Sequence, residues 1–123
     1  MLNAMFGNAS EVDAQKLNKE FDSILTENEK IERAFKLIRD MYVFTNKRLI
    51  KVDRQGFTGN KVDYLSIPYK SITRFSVETA GHFDADSELK IWMSGTHEPL
   101  KWEFKKGTDI IGVQKMIAHY ILK

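Results

Sequence analysis

The residues best suited to chemistry lie in the run VFTNKRLIKVDR, positions 43 to 54, where Lys47, Arg48, Lys51 and Arg54 sit among strand-forming apolar residues. Four cations around a turn could grip a phosphate. Spacing works against it. Lys47 and Arg54 are seven positions apart, and a strand rising ~3.4 Å per residue carries them ~20 Å or more apart. In an antiparallel meander the links near 39–40 and 54–61 fall at the same end, so an anion pocket would draw on Arg39, Arg54 and Lys61. The competing reading is a solvated basic face, its charges screened over ~8 Å at physiological salt, on a hairpin whose edge must stay soluble. That second reading is the expectation.

Other constellations carry less. Asp84, Asp86 and Glu88 alternate as in a calcium loop, but the sharp-turn glycine and the distant bidentate glutamate of such loops are missing. His82, His97 and His119 have no ligand-spaced neighbours. No nucleophile elbow, glycine-rich phosphate loop or H-E-x-x-H motif occurs. Neither an enzyme nor a metal or other cofactor is therefore expected. Tyr42, Phe44 and Phe57 lie near the basic run, yet Asp53 and Asp63 interrupt it, and no continuous aromatic-studded groove for nucleic acid is expected.

Composition sets the frame. The chain has 123 residues, net charge +2 and no cysteine, which suits one domain without disulfides or thiol chemistry. No apolar run reaches the ~18 residues of a membrane-spanning helix, and the start, MLNAMFGNAS, lacks the pattern of a secretory signal. A cytoplasmic protein is the expectation. The charge is unevenly spread: residues 1–30 carry −3 and residues 31–70 carry +5.

Periodicity supplies the elements. Ser10 is a candidate cap for a first helix whose stripe is Leu17, Phe21, Ile24 and Leu25. Strand-like segments follow: KIERAFKLIRD, whose apolar spacing also fits a helix, then MYVFT, RLIKVDR, KVDYLSI, SITRFSVETA, SELKIWMS and LKWEFK. Asn46-Lys47 offers a tight hairpin turn. Thr108 is a candidate cap for a last helix with a stripe of Ile110, Val113, Met116, Ile117, Tyr120 and Ile121. The sum is a mostly β chain: about seven antiparallel strands curling into a barrel or sandwich, a C-terminal helix as plug, and an extra N-terminal helix. That first helix must then dock on the outside of the barrel or on a neighbouring subunit, so Leu17, Phe21 and Ile24 are interface candidates. Trp92 alternates out of phase with Leu89, Ile91 and Met93. It is a fourth candidate, set against packing under the first helix or lying flat on its own sheet.

The order of elements, with FTNKRLIKVD, IPYKSITRFSVETAG, LKIWMSG and LKWEFKKG before the last helix, resembles the bacterial pleckstrin-homology (PH) family; the T-N-K-R-L turn and the I-P-Y-x-S-I segment carry most of the likeness. It divides the chain into a tail and helix at 1–26 and a PH-like domain at 27–123. The resemblance implies self-association, rings included, and no enzymatic activity. Phosphoinositide-binding PH domains of eukaryotes carry a basic motif across their first two strands. Here that place reads KLIRDMYVF, with a short loop and Asp40 beside Arg39, and the motif is not there. The expected task is a homo-oligomeric scaffold or protein-interaction module. The alternative is a peripheral membrane or anionic-ligand binder.

Overall fold

The computed structural model describes residues 8–38, 40–55, 60–79 and 86–122. They form eight strands and two helices: β1 (Asn8–Val12), α1 (Ala14–Glu20), β2 (Ile31–Lys36), β3 (Asp40–Thr45), β4 (Arg48–Gln55), β5 (Lys61–Pro68), β6 (Ile72–Glu78), β7 (Ser87–Met93), β8 (Leu100–Phe104) and α2 (Ile110–Ile121), with a 3-10 turn at Tyr69–Ser71. Two compact units emerge. One is Glu11–Pro68, and the other joins Tyr69 onward to the residues before Glu11.

The first unit is an antiparallel meander in the order β5-β4-β3-β2. Its register puts Tyr42 opposite Phe35 on one side and Lys51 on the other, and Lys51 opposite Leu65. Side chains alternate between faces, so Phe35, Tyr42, Phe44, Leu49 and Ile67 share one face. Ala34, Met41, Val43, Ile50 and Val52 share the other. Both sets are buried. The second set is covered by α1, whose Leu17 and Phe21 lie in one apolar cluster with it, with Ile24, Leu25 and Val62 packed at its margin. Burying Leu17 and Phe21 contributes about 1.5–3 kcal/mol each.

The helix differs from expectation at its start. Ser10 belongs to β1 and caps nothing; Asp13 is the cap, its carboxylate accepting from the Gln15 amide at 3.0 Å. Asp and Ser cap about equally well, and β1 claims Ser10 through a contact far away in sequence. Asn8 and Ala9 pair in parallel with Glu103 and Phe104. After Glu20 the chain continues in turns to Leu25 rather than as helix.

The second unit runs β1-β8-β7-β6. Leu89, Ile91, Trp102 and Phe104 form its buried face. On α2, Ile110, Val113 and Ile117 are buried and Met116, Tyr120 and Ile121 half-buried, as the helical stripe predicts. Its cap is Asp109, which accepts from the Gly112 amide, rather than Thr108. Tyr69 stacks on Tyr120, ring centroids 5.2 Å apart. Three buried α2 side chains at ~1.5–3 kcal/mol each are a large part of a domain's ~5–15 kcal/mol. Deleting residues 108–123 is expected to abolish cooperative thermal unfolding, and a truncated chain that still melts sharply by circular dichroism would contradict this.

Candidate functional site

The T-N-K-R-L turn joins β3 to β4, and every polar residue in it is engaged with the segment 24–30. Glu29 is the centre. Its Oε2 accepts from Arg48 Nε at 2.8 Å and from the Thr45 hydroxyl at 2.7 Å. Its Oε1 accepts from Arg48 Nη2 at 3.0 Å, from the Thr26 amide at 2.9 Å and from the Thr26 hydroxyl at 3.1 Å. The Glu29 side chain is 1% exposed. Arg48 reaches further, donating to the Ile24 carbonyl at 3.1 Å and to the Ser66 hydroxyl at 2.8 Å. Asn46 accepts from the Lys30 amide and donates to the Asn28 carbonyl, and Lys47 donates to the Glu27 carbonyl. Asn28 sits at φ 64°, where a left-handed residue turns the loop towards these donors. The bidentate fork is the geometry that makes an arginine–carboxylate pair strong.

These contacts decide what the basic run can do. Arg48 and Lys47 hold the chain's own loop. Lys51 is half-buried between Tyr42 and Leu65. Arg54 and Lys61 are exposed, but Arg54 pairs with Val62 and Lys61 with Gln55, so the two cations point to opposite faces of the β4–β5 ladder. Arg39 lies outside the described residues. The face of Lys61 also carries Asp40, Asp53 and Asp63 directly opposite one another across β3, β4 and β5. Burial first, then the charges of Asp40 and Asp53, push the nearby Tyr42 hydroxyl up to about 12.

The interface candidates divide likewise. Leu17 and Phe21 are buried and Ile24 partly so, all within their own unit, and Tyr64 meets Phe21 edge-on at 6.1 Å. Trp92 is half-buried on the polar face of β7, and the Arg74 guanidinium lies 4.6 Å from its ring centroid. The segment KVDYLSI is the expected strand β5, but its place at the end of the strand order is not visible in the sequence. It pairs only with β4 among the described residues, runs for eight residues, and exposes Tyr64 by 44% and Leu65 by 45%. β6, at the other end of the strand order, pairs only with β7 among the described residues. His97 and His119 are exposed, and His82 and Asp84 lie outside the described residues. Among the described residues no group of three or more His, Asp or Glu side chains is placed to hold a metal ion, and no helix is long and apolar enough to cross a membrane.

Glu29 carries a pH consequence. Burial would raise its pKa, but the hydrogen bonds from Arg48, Thr45 and the Thr26 amide and the Arg48 charge outweigh it and bring the pKa from 4.5 down to about 2. A depressed carboxylate adds stability above its unfolded pKa and loses it as pH falls towards the folded one. At about 1.4 kcal/mol per unit, stability on the order of 3 kcal/mol is expected to disappear between about pH 5 and pH 2. Urea titrations across that range test it: Glu29→Gln should flatten the dependence. Arg48→Met, which strands the buried carboxylate, should cost about 3–5 kcal/mol at neutral pH.

Comparison with known proteins agrees with this architecture. The family model described as "Bacterial PH domain" matches residues 1–121. The uncharacterised protein YjqA of Bacillus subtilis (strain 168) is 55% identical over 118 residues, covering 95% of this chain and 94% of its own. A crystal structure of a DUF1696 family protein with a pleckstrin-homology domain from Shewanella loihica PV-4 is 56% identical. It superposes with a TM-score of 0.82 over 94% of this chain and 98% of its own. A pleckstrin homology domain from Shewanella amazonensis SB2B is 59% identical, with a TM-score of 0.71 over 99% and 98% of the two chains.

Proposed function

For a chain that belongs to the bacterial PH domain family, we propose a non-catalytic scaffold that self-associates head to tail through its sheet edges. The observation that carries this is the edge of β5, open among the described residues, with Tyr64 and Leu65 nearly half exposed on its two faces. An unpaired edge presents a row of amides and carbonyls to any incoming strand. Most proteins blunt such edges with charge, whereas the middle of this one reads Tyr64-Leu65-Ser66. Among the described residues β6 is a second edge with no strand beside it; it supplies a different surface, and contact between two unlike surfaces propagates into rings when the rotation closes. The binding of anions has less support: the T-N-K-R-L cations are committed to the segment 24–30, and Arg54 and Lys61 diverge.

Native mass spectrometry of the whole chain tests the proposal. The expected spectrum shows one multiple of 14.3 kDa. Leu65→Lys, which places a charge on the β5 edge, should break that multiple apart while leaving the melting temperature within a few degrees. A wild-type monomer throughout the micromolar range, or an assembly indifferent to Leu65→Lys, would overturn the proposal.

A further inference from the structure

The polar face of β6, β7 and β8 has its charges sorted by sign. Register sets Glu78 opposite Glu88 and Glu88 opposite Glu103, a row of three carboxylates across three strands. The next row on the same face is Ser76, Lys90 and Lys101, about 7 Å along the strands. Arg74 and Trp92 follow beyond it. Like charges directly opposite one another destabilise a sheet. Partial relief comes along β7, where Lys90 Nζ lies 3.8 Å from Glu88 Oε1. Lys101 and Glu78 are exposed, and Glu88, Lys90 and Glu103 half-buried.

Such a face is complementary to itself. Turn a second copy by half a revolution about an axis lying in the interface, parallel to the rows and midway between them. Position along the row is kept and the rows exchange. Glu88 of one copy then faces Lys90 of the other, and Glu103 faces Lys101, each contact occurring twice. A polyanion is a poorer occupant, because the carboxylate row would meet it beside the lysines. We infer that this face is an isologous docking surface for a second copy of the chain, held by the opposed Glu88/Glu103 and Lys90/Lys101 rows. Three strands about 5 Å apart and some 20 Å long give a patch well below the ~800 Å² per partner of a standard interface. The contact is therefore weak and sensitive to salt. It does not depend on the β5 and β6 edges, and in an edge-built assembly it would join one layer to another.

The test is made in a Leu65→Lys background, which silences the β5 edge, by sedimentation velocity of the full chain. A weak dimer is expected at about 0.05 M salt and none at about 0.5 M, where screening shortens to a few ångströms. Two charge-swapped chains are then made. One carries Lys90→Glu with Lys101→Glu, and the other Glu88→Lys with Glu103→Lys. Each should repel itself and sediment as a monomer, and an equimolar mixture should restore a one-to-one heterodimer. Circular dichroism melts establish that both are folded. If a swap unfolds the chain, the single changes Lys101→Glu and Glu103→Lys, at more exposed positions, take its place. Three results would overturn the inference: no salt-sensitive dimer, dimers unaffected by either swap, or no heterodimer from two folded partners. Pelleting of the chain with vesicles of anionic lipid, lost in the Lys90→Glu/Lys101→Glu protein, would instead assign the face to a membrane surface. The edge reading fails separately, through a wild-type mass that Leu65→Lys leaves unchanged.

Discussion

The buried carboxylate of Glu29 is the constraint on which the first unit depends. An ionised group out of water is costly unless its lone pairs are filled, and here they are filled by donors from three places: the turn that contains it, the β3–β4 hairpin, and Arg48, which also holds β5. Removing any one donor leaves the rest with a poorly solvated charge. The position of the segment 24–30 is thus fixed relative to the hairpin, and that segment is what returns the chain from α1 to β2. The docking of Leu17 and Phe21 on the sheet follows from this geometry as much as from their hydrophobicity.

A second consequence concerns which surfaces are left. The meander would have one wet face if α1 were absent. With α1 in place β3 is buried on both sides, and among the strands of the first unit β5 is the one that meets solvent most. In the second unit the charges gather into rows on one face of β6–β8. Lys47 and Arg48, which look in sequence like part of a phosphate grip, hold the segment 24–30, while features that look ordinary in sequence, an edge strand and a charged sheet face, meet solvent.

Much of the architecture was legible. The seven strand segments from KIERAFK to LKWEFK and the α2 stripe stand where alternation and helical spacing place them, because each signal is local. Other features depend on partners far away in sequence. β1 is a short segment with no alternation of its own, and its pairing with β8 decides that Ser10 is strand and Asp13 the cap. The Glu29–Arg48 tie left one trace: the chain is acidic up to residue 30 and basic just after it. That contrast reads naturally as a basic surface until the two segments are seen to meet. The sorted rows on β6–β8 need register, which alternation within single strands does not supply. Alternation puts Trp92 out of phase with Leu89, Ile91 and Met93, but it does not show that Arg74 lies over the ring.

The parallel pairing of Asn8 and Ala9 with Glu103 and Phe104 has a bearing on how the chain is made. About 95 residues separate these partners, and at ribosomal rates of about 5–20 residues per second the early strand waits some 5–20 seconds for its template. During that time the first unit has its ladders, its helix and its ion pair available from neighbours close in sequence, whereas the second unit has the edge of β8 still to come. Closure of this long loop cannot precede the synthesis of β8.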